Sequence, residues 1–584
     1  MASYSKLVIT GKGQALIAKM IAGTGNIEFT KVSVSNTEYE ESQLTELETL
    51  SGVQQTSLVS KVTRTNNVAI KIEAAFSNTS LITGYYMRAL GLYAKDPDEG
   101  EILYAVCVET TGNCYMPPYN GVTVSAAYIQ MYTTVGNADS VSLDVDSGAY
   151  ATIGDIQALE KEIADLQSFV GYKSDDIYGV EVDFVNKKFT RLSGATNMTP
   201  GDMFDKINAY GGRKRCNLTD AGVVVAYQGD SGFSTTGALT QAVTVGSTTY
   251  AVGTKVQVMV EQPRFYYKVV PLAVEEKDGM QIMRKCRYYM SDTAKAGFKL
   301  HPAFINNGVE LDKIYLSAFE GSLYDSSAGR YILDDSQVAD FSADMMSSIA
   351  NAKPISSNTQ NLTRANTRLL CEKRGIGWEQ QLIQTASATQ LLMLIEYASF
   401  NMQDSIGLGN CNKPWKEDGI NYAENTGATV TLGNKSGAVT NTNGIVMVSY
   451  RGEENFWANI WKWIDGINQH ARRIYIADHS FKDDTGAEPY VDTKLDCAAV
   501  EGFISAFSYN ENYDWLFIPG ECAGSDHLPV SDYFWINIII WSVARLGASW
   551  DYGLSAGAFC LALAYASGGR ARHISGRLVY RPAA

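Results

Sequence analysis

The chain has 584 residues, with 48 Lys and Arg against 63 Asp and Glu, for a formal net charge of −15. That length suggests about four domains, and the acidic balance without a basic run argues against a nucleic-acid partner. No apolar run reaches the roughly 18 residues of a membrane span; the nearest, 534–543, is interrupted by Asn537. The nine cysteines are odd in number and lack CxxC spacing, which indicates neither a zinc site nor a disulfide framework. They read as small buried hydrophobes.

Residues 6–10 read as a short strand that meets Gly11, and a helical pattern over 14–22 ends at Gly23-Thr24-Gly25, where glycine suits a helix stop. Strand-like runs follow at 27–34, 58–63, 67–75 and 85–93. Tyr86-Met-Arg-Ala-Leu-Gly-Leu-Tyr-Ala-Lys95 then passes through Asp96-Pro97-Asp98-Glu99-Gly100 into Glu101-Ile-Leu-Tyr104, two apolar runs joined by turn chemistry. The turn's three carboxylates read as solvated loop residues rather than a cation site. This stretch resembles the N-terminal domain of phage tail-collar fibre proteins. The resemblance implies that residues 1–150 are an attachment domain, joined in the virion to phage baseplate or tail proteins. The start, Met1-Ala2-Ser3-Tyr4, has neither the basic segment nor the long apolar stretch of a signal peptide, so synthesis in the bacterial host cytoplasm is expected.

Ile156, Leu159, Ile163, Leu166 and Val170 repeat at spacings of three and four, with Glu160, Lys161, Glu162 and Asp165 between them. That predicts a short coiled coil over 151–172. Isoleucine at a and leucine at d favours two strands in isolation, whereas the resemblance to phage fibres implies a homotrimer. A single linker helix packing the same stripe on a neighbour is the alternative. Residues 173–278 read as a β-rich spacer: a strand pair about Asn186-Lys187-Lys188, a short helix over 202–209, and strands at 223–227, 242–245 and 255–261. The basic trio Arg213-Lys214-Arg215 lacks aromatic platforms and reads as a solvated loop.

All nine tryptophans lie at or after Trp378, so the last part of the chain is built differently. Two strands are expected around the turn Asn306-Asn307-Gly308, then helices over 362–374 and 379–402, the second with Leu391, Leu394, Ile395 and Ala398 on one face. Trp457, Trp461 and Trp463 place three indoles within eight residues, a density expected in a core. These features resemble the C-type-lectin-like and formylglycine-generating-type fold, which is therefore expected over 279–584. The calcium-lectin motif is missing, since Glu488-Pro489 is followed by Tyr490. Among Cys497, Cys522 and Cys560 no copper-binding pair is evident, so no cofactor or metal is expected.

The segment 547–578 interleaves two sets of positions. Gly547, Trp550, Gly553, Phe559, Leu561, Leu563, Ile574 and Leu578 look like scaffold. Among them stand Ser549, Asp551, Tyr552, Ser555, Cys560, Ala562, Ala564 and Tyr565, then Gly569, Arg570, Ala571, Arg572 and His573, a mixture with no period of its own. Phe559, Leu561 and Leu563 alternate with Cys560, Ala562 and Ala564, so a strand would send the first set to the core and the second to an open face. The pattern resembles the variable region of diversity-generating-retroelement target proteins, of which phage receptor-binding proteins of the major-tropism-determinant type are the known kind. It implies that the second set forms a receptor-binding face, anchored by Tyr552, Tyr565, Arg570, Arg572 and His573. An ordinary amphipathic strand pair is the alternative.

The expectation is thus a multidomain α+β, mainly β protein: a tail-fibre adhesin of the virion that recognises a protein or glycan receptor on a bacterial surface. Two alternatives stay open. One is a polysaccharide depolymerase using His527 with Asp526, Asp532 or Glu521 for acid and base work, although that stretch carries no catalytic signature and no enzyme is expected. The other is a non-phage adhesin or injection-system tip with the same fold.

Overall fold

The computed structural model describes residues 4–22, 27–59, 61–64, 69–112, 114–121, 124–134, 174–416 and 422–582. The expected seam of Ile156, Leu159, Ile163, Leu166 and Val170 lies outside the described residues. Strand makes up 39% and helix 13%, so the protein is mainly β, and it divides into two compact units, Met1–Glu160 and Lys161–Ala584.

The first unit is built on a five-stranded antiparallel sheet, in the order Val8–Ile9, Gly100–Val108, Ala89–Asp96, Glu28–Ser35, Val53–Leu58. A second, three-stranded sheet pairs Ala126–Thr134, Ala69–Ser77 and Lys61–Arg64. The helix Gly11–Ala22 begins where the Thr10 hydroxyl accepts from the Gly13 N–H at 3.1 Å, an N-cap worth about 1 kcal/mol. Gly13 is required by its neighbour: a Cβ there would lie 2.1 Å from the carbonyl oxygen of Tyr104. The hairpin expected at 96–100 is present. Asp96 Oδ1 accepts from the N–H groups of Asp98 and Glu99 at 2.8 and 3.2 Å, and Lys19 Nζ reaches Asp96 at 2.8 Å and Asp98 at 3.1 Å. Lys19 and those N–H groups hold the Asp96 carboxyl below its usual range. Two of the turn's three carboxylates are therefore tied to the helix's last turn.

The second unit surrounds one large apolar core running from Val180 to Val579. Its first sheet is antiparallel, in the order Lys188–Ser193, Tyr178–Asp183, Met280–Ser291, Tyr266–Lys277, Lys299–Leu300. The second has six strands, with Leu578–Tyr580 between Lys313–Ser317 and Trp378–Gln380. The expected spacer over 173–278 is therefore not a separate body. The boundary at 278 falls in the tight turn between Tyr266–Lys277 and Met280–Ser291, and Val180, Phe204 and Val258 share the core with Trp457 and Phe559. The basic trio is corrected as well. Lys214 to Leu218 is a strand, Arg213 and Arg215 are buried, and they bond Glu453 and the Gly452 carbonyl, because buried cations need partners.

The two expected helices form at Arg364–Glu372 and Ile383–Tyr397. The second is buried on every face rather than one. Its polar side chains find backbone acceptors, as Gln384 does on the Ala477 carbonyl at 2.7 Å and Gln390 on Ala558 at 2.8 Å. The turn at 306–308 forms with Asn307 and Gly308 both at positive φ, 47° and 80°, as a two-residue hairpin demands. Among the described residues no helix is long and apolar enough to cross a membrane.

The sheet that positions the site has eight strands, labelled in chain order: β1 Trp461–His470, β2 Arg473–Ile476, β3 Val491–Asp496, β4 Gly502–Phe503, β5 Tyr533–Ile536, β6 Ser542–Leu546, β7 Leu561–Tyr565 and β8 Ile574–Ser575. They are ordered β3-β2-β1-β6-β7-β5-β4, with β8 parallel beside β1. β7 is an interior strand, antiparallel to β6 and parallel to β5.

Candidate functional site

Register across the sheet creates one row of side chains. Trp463 pairs with Arg545, Arg545 with Ala562, and Ala562 with Trp535, and directly opposed residues point to the same face. The row therefore alternates indole, guanidinium, methyl and indole over four strands. Ala562 leaves room above itself, and rings meet there: Trp461 and Trp535 stand edge to face at 5.6 Å, and Tyr552 meets both at 5.3 and 5.1 Å. Arg545 lies over Trp461, Trp463 and Tyr565 at 5.3, 5.6 and 3.6 Å. Each such cation–π contact contributes about 0.5–2 kcal/mol.

Above this floor opens a cleft of about 430 Å³ lined by Trp415, Arg545, Asp551, Tyr552, Tyr565, Gly569, Arg570, Ala571, His573 and Ile574. Seven of the thirteen positions expected on the displayed face are brought together here: Asp551, Tyr552, Tyr565, Gly569, Arg570, Ala571 and His573. Tyr565 is 44% exposed and Trp415 53%. Arg570 stands at the rim and donates to Asn361 Oδ1.

The other six lie elsewhere, and three contradict the expectation of display. Ser549, Cys560 and Ala562 are buried. Alternation failed as a guide because β7 is flanked on both edges and covered on both faces, so Ala562 is small to fit beneath the rings. Burial pushes the Cys560 thiol well above its ordinary range. Ser549 donates to Asp551 Oδ1 at 2.7 Å. Ala564 and Ser555 are half-buried. Arg572, expected as an anchor, turns away to form an ion pair with buried Asp335 at 3.2 Å.

His573 lines the cleft but is largely buried, its ring edge to face with Trp415 at 5.0 Å and Trp550 at 6.1 Å. Burial and the nearby Arg545 charge push its pKa down to about 3, so the imidazole is neutral. Burial raises the Asp551 carboxyl above its usual range and the Tyr552 phenol to about 12. Desolvation also lowers Arg545.

Sequence reading missed Arg545, Trp415 and Trp535 as site residues. The available signal for Arg545 was one charge inside the apolar run Val543-Ala544-Arg545-Leu546, where an arginine facing a core needs a reason. The residues considered for hydrolysis are held separately. His527 is exposed beside Asp526 at 3.7 Å, Glu521 is bound by Arg284 and Lys277 at 2.7 Å each, and Asp532 is buried, accepting from the Phe559 N–H at 2.6 Å. Among the described residues no group of three or more His, Cys, Asp or Glu side chains is placed to hold a metal ion.

The first unit carries the identifying signal. Its class is that of a phage tail-fibre domain: residues 1–153 of the 584 match the family model for the phage tail-collar fibre protein, N-terminal. The chain thus carries that domain, and its second unit lies beyond the match. No curated protein gives a significant match to the chain.

Proposed function

We propose that the protein is a phage tail-fibre receptor-binding protein, fastened to tail or baseplate proteins through its first unit and binding a bacterial surface receptor through the cleft of its second. The family match over 1–153 supports the first half. The observation that carries the second is convergence: residues scattered from Asp551 to His573, with no period in the sequence, line one cleft over a stiff aromatic floor. Rigid aromatics and arginine are the side chains that dominate binding energy at such sites. In this reading the second unit is a C-type-lectin-like receptor domain, its cleft walls the variable part of 547–578. Residues 151–172 join three copies, and display in threes strengthens weak single contacts by avidity.

The test is adsorption of the purified protein to a panel of bacterial strains, beside a triple variant Asp551→Ala, Tyr565→Ala and Arg570→Ala that leaves half-buried Arg572 and buried His573 untouched. The variant is expected to lose or change its strain preference while keeping its melting temperature and oligomeric state. Equal adsorption by both proteins would move recognition away from the cleft, first to the polar groove lined by Gln281, Lys494 and Asn510.

A further inference from the structure

Arg545 is 2% exposed, and its Nε and Nη2 find no hydrogen-bond acceptor among the described residues. Nor does any described carboxylate form an ion pair with it. Other buried arginines of the unit behave differently. Arg368 donates to Asp465 at 2.6 Å, Arg451 to Glu396 at 2.6 Å, and Arg577 to the Glu454 carbonyl at 2.6 Å. A buried guanidinium with two unfilled donors is costly, and this one lines a cleft beside the Tyr565 phenol. His573 Nδ1, also lining it, is a second buried polar atom without a partner among the described residues.

The remaining lining sets the chemistry. Arg545 and Arg570 bring two positive charges against the single carboxylate of Asp551, whose Oδ1 is occupied by Ser549. The cleft is thus locally cationic on a chain of net charge −15. A guanidinium's planar fork matches a carboxylate in two parallel hydrogen bonds. Tyr565, one face of whose ring lies on Arg545, and Trp415 add exposed aromatic surface beside that fork, suited to the apolar face of a sugar ring. The volume, about 430 Å³, falls within the range of small-ligand sites.

We propose that the cleft binds a carboxylate-bearing pyranose, a uronic-acid unit of a bacterial surface polysaccharide, with Arg545 as the anion anchor and Tyr565 as the ring platform. This rests on the receptor-binding reading above and names its ligand class.

The experiment is calorimetric titration of the full chain with oligomers of glucuronate and of galacturonate. Controls are the matching glucose and galactose oligomers, the methyl esters of the same uronate oligomers, and inorganic phosphate. At least one uronate oligomer is expected to bind, with its neutral counterpart and its ester weaker by about tenfold or more. Arg545→Lys keeps the charge but not the fork and is expected to lose a similar factor; it also gives up stacking on three rings, so the two proteins are compared at a temperature where thermal melts show both folded. Arg570→Ala, at the rim, weakens binding less. Equal binding of acid, ester and neutral oligomer would overturn the proposal, as would competition by phosphate at the same concentration as the uronate. Should Arg545→Lys not fold, the ester comparison on the natural protein decides. If no uronate binds but the triple variant abolishes adsorption to cells, the ligand class falls and the receptor reading stands. If uronates bind and adsorption ignores the triple variant, the receptor reading falls and the sugar site stands.

Discussion

The Arg545 guanidinium carbon lies 3.6 Å from the ring centroid of Tyr565, so an exposed wall of the cleft rests directly on its buried floor. Tyr565→Phe keeps the ring and is expected to leave adsorption and melting close to natural. Tyr565→Ala removes the ring that meets the ligand in the proposed reading, and loss of an aromatic contact costing about 1–2 kcal/mol in the complex is roughly tenfold in binding. The 44% exposure of Tyr565 keeps the effect on folding small. Adsorption isotherms and thermal melts of the two variants check this.

Asp465 accepts from Arg368 Nη2 and Nε at 2.6 and 2.7 Å and lies 3.6 Å from Arg364 Nε, with all three side chains buried. Asp465→Ala leaves two buried cations facing each other and is expected to cost about 3–5 kcal/mol. The double replacement Arg368→Met with Asp465→Leu removes charge from both sides and is expected to recover part of that loss. The denaturant midpoint of the second unit is the measurement.

Asp532 is buried, and desolvation raises its carboxyl to about 8 against an ordinary 3.8. The folded form therefore holds a proton that the unfolded chain has released between those values. Stability from this group is fully present below about pH 4 and is lost as pH rises towards 8. Asp532→Asn cannot titrate and still accepts from the Phe559 N–H. Relative to the natural protein it is expected to gain up to about 1.4 kcal/mol per pH unit across that window. Paired denaturation curves at pH 4, 6 and 8 give the slope, and an unchanging difference would show an ordinary carboxyl.

Gly13→Ala drives a methyl against the Tyr104 carbonyl at 2.1 Å, and neither the strand nor the helix can yield without losing hydrogen bonds. A loss of at least about 2 kcal/mol is expected, in the range of core overpacking. It should be read locally, as faster hydrogen exchange in Ala89–Asp96 and Gly100–Val108.

Much of the frame was legible because it rests on local chemistry. Asp96 to Gly100 is a turn by composition, Asn307-Gly308 a hairpin by its need for positive φ, and the indoles of Trp457, Trp461 and Trp463 are buried as their density implied. The 173–278 boundary was not legible, because it depends on which distant strand completes a sheet. Nor was the burial of Cys560 and Ala562. A period of two tells which residues share a face but not whether that face is covered, and the cover here is Arg545, Trp535 and Tyr552, from three other segments. Arg545 itself could be recognised only once its strand neighbours were known.

The bend that carries Gly569 and Arg570 is held at both feet, by Tyr565 ending an interior strand and by Arg572 on Asp335 just before Ile574 joins Trp461. Heredity can therefore treat the letters between those feet as vocabulary and the rest as grammar. A substitution at 569 or 570 rewrites what the cleft touches without entering the core. In the proposed reading a lineage following a changing host surface has its freest moves there, whereas a change in β6 or β7 meets buried neighbours on both faces.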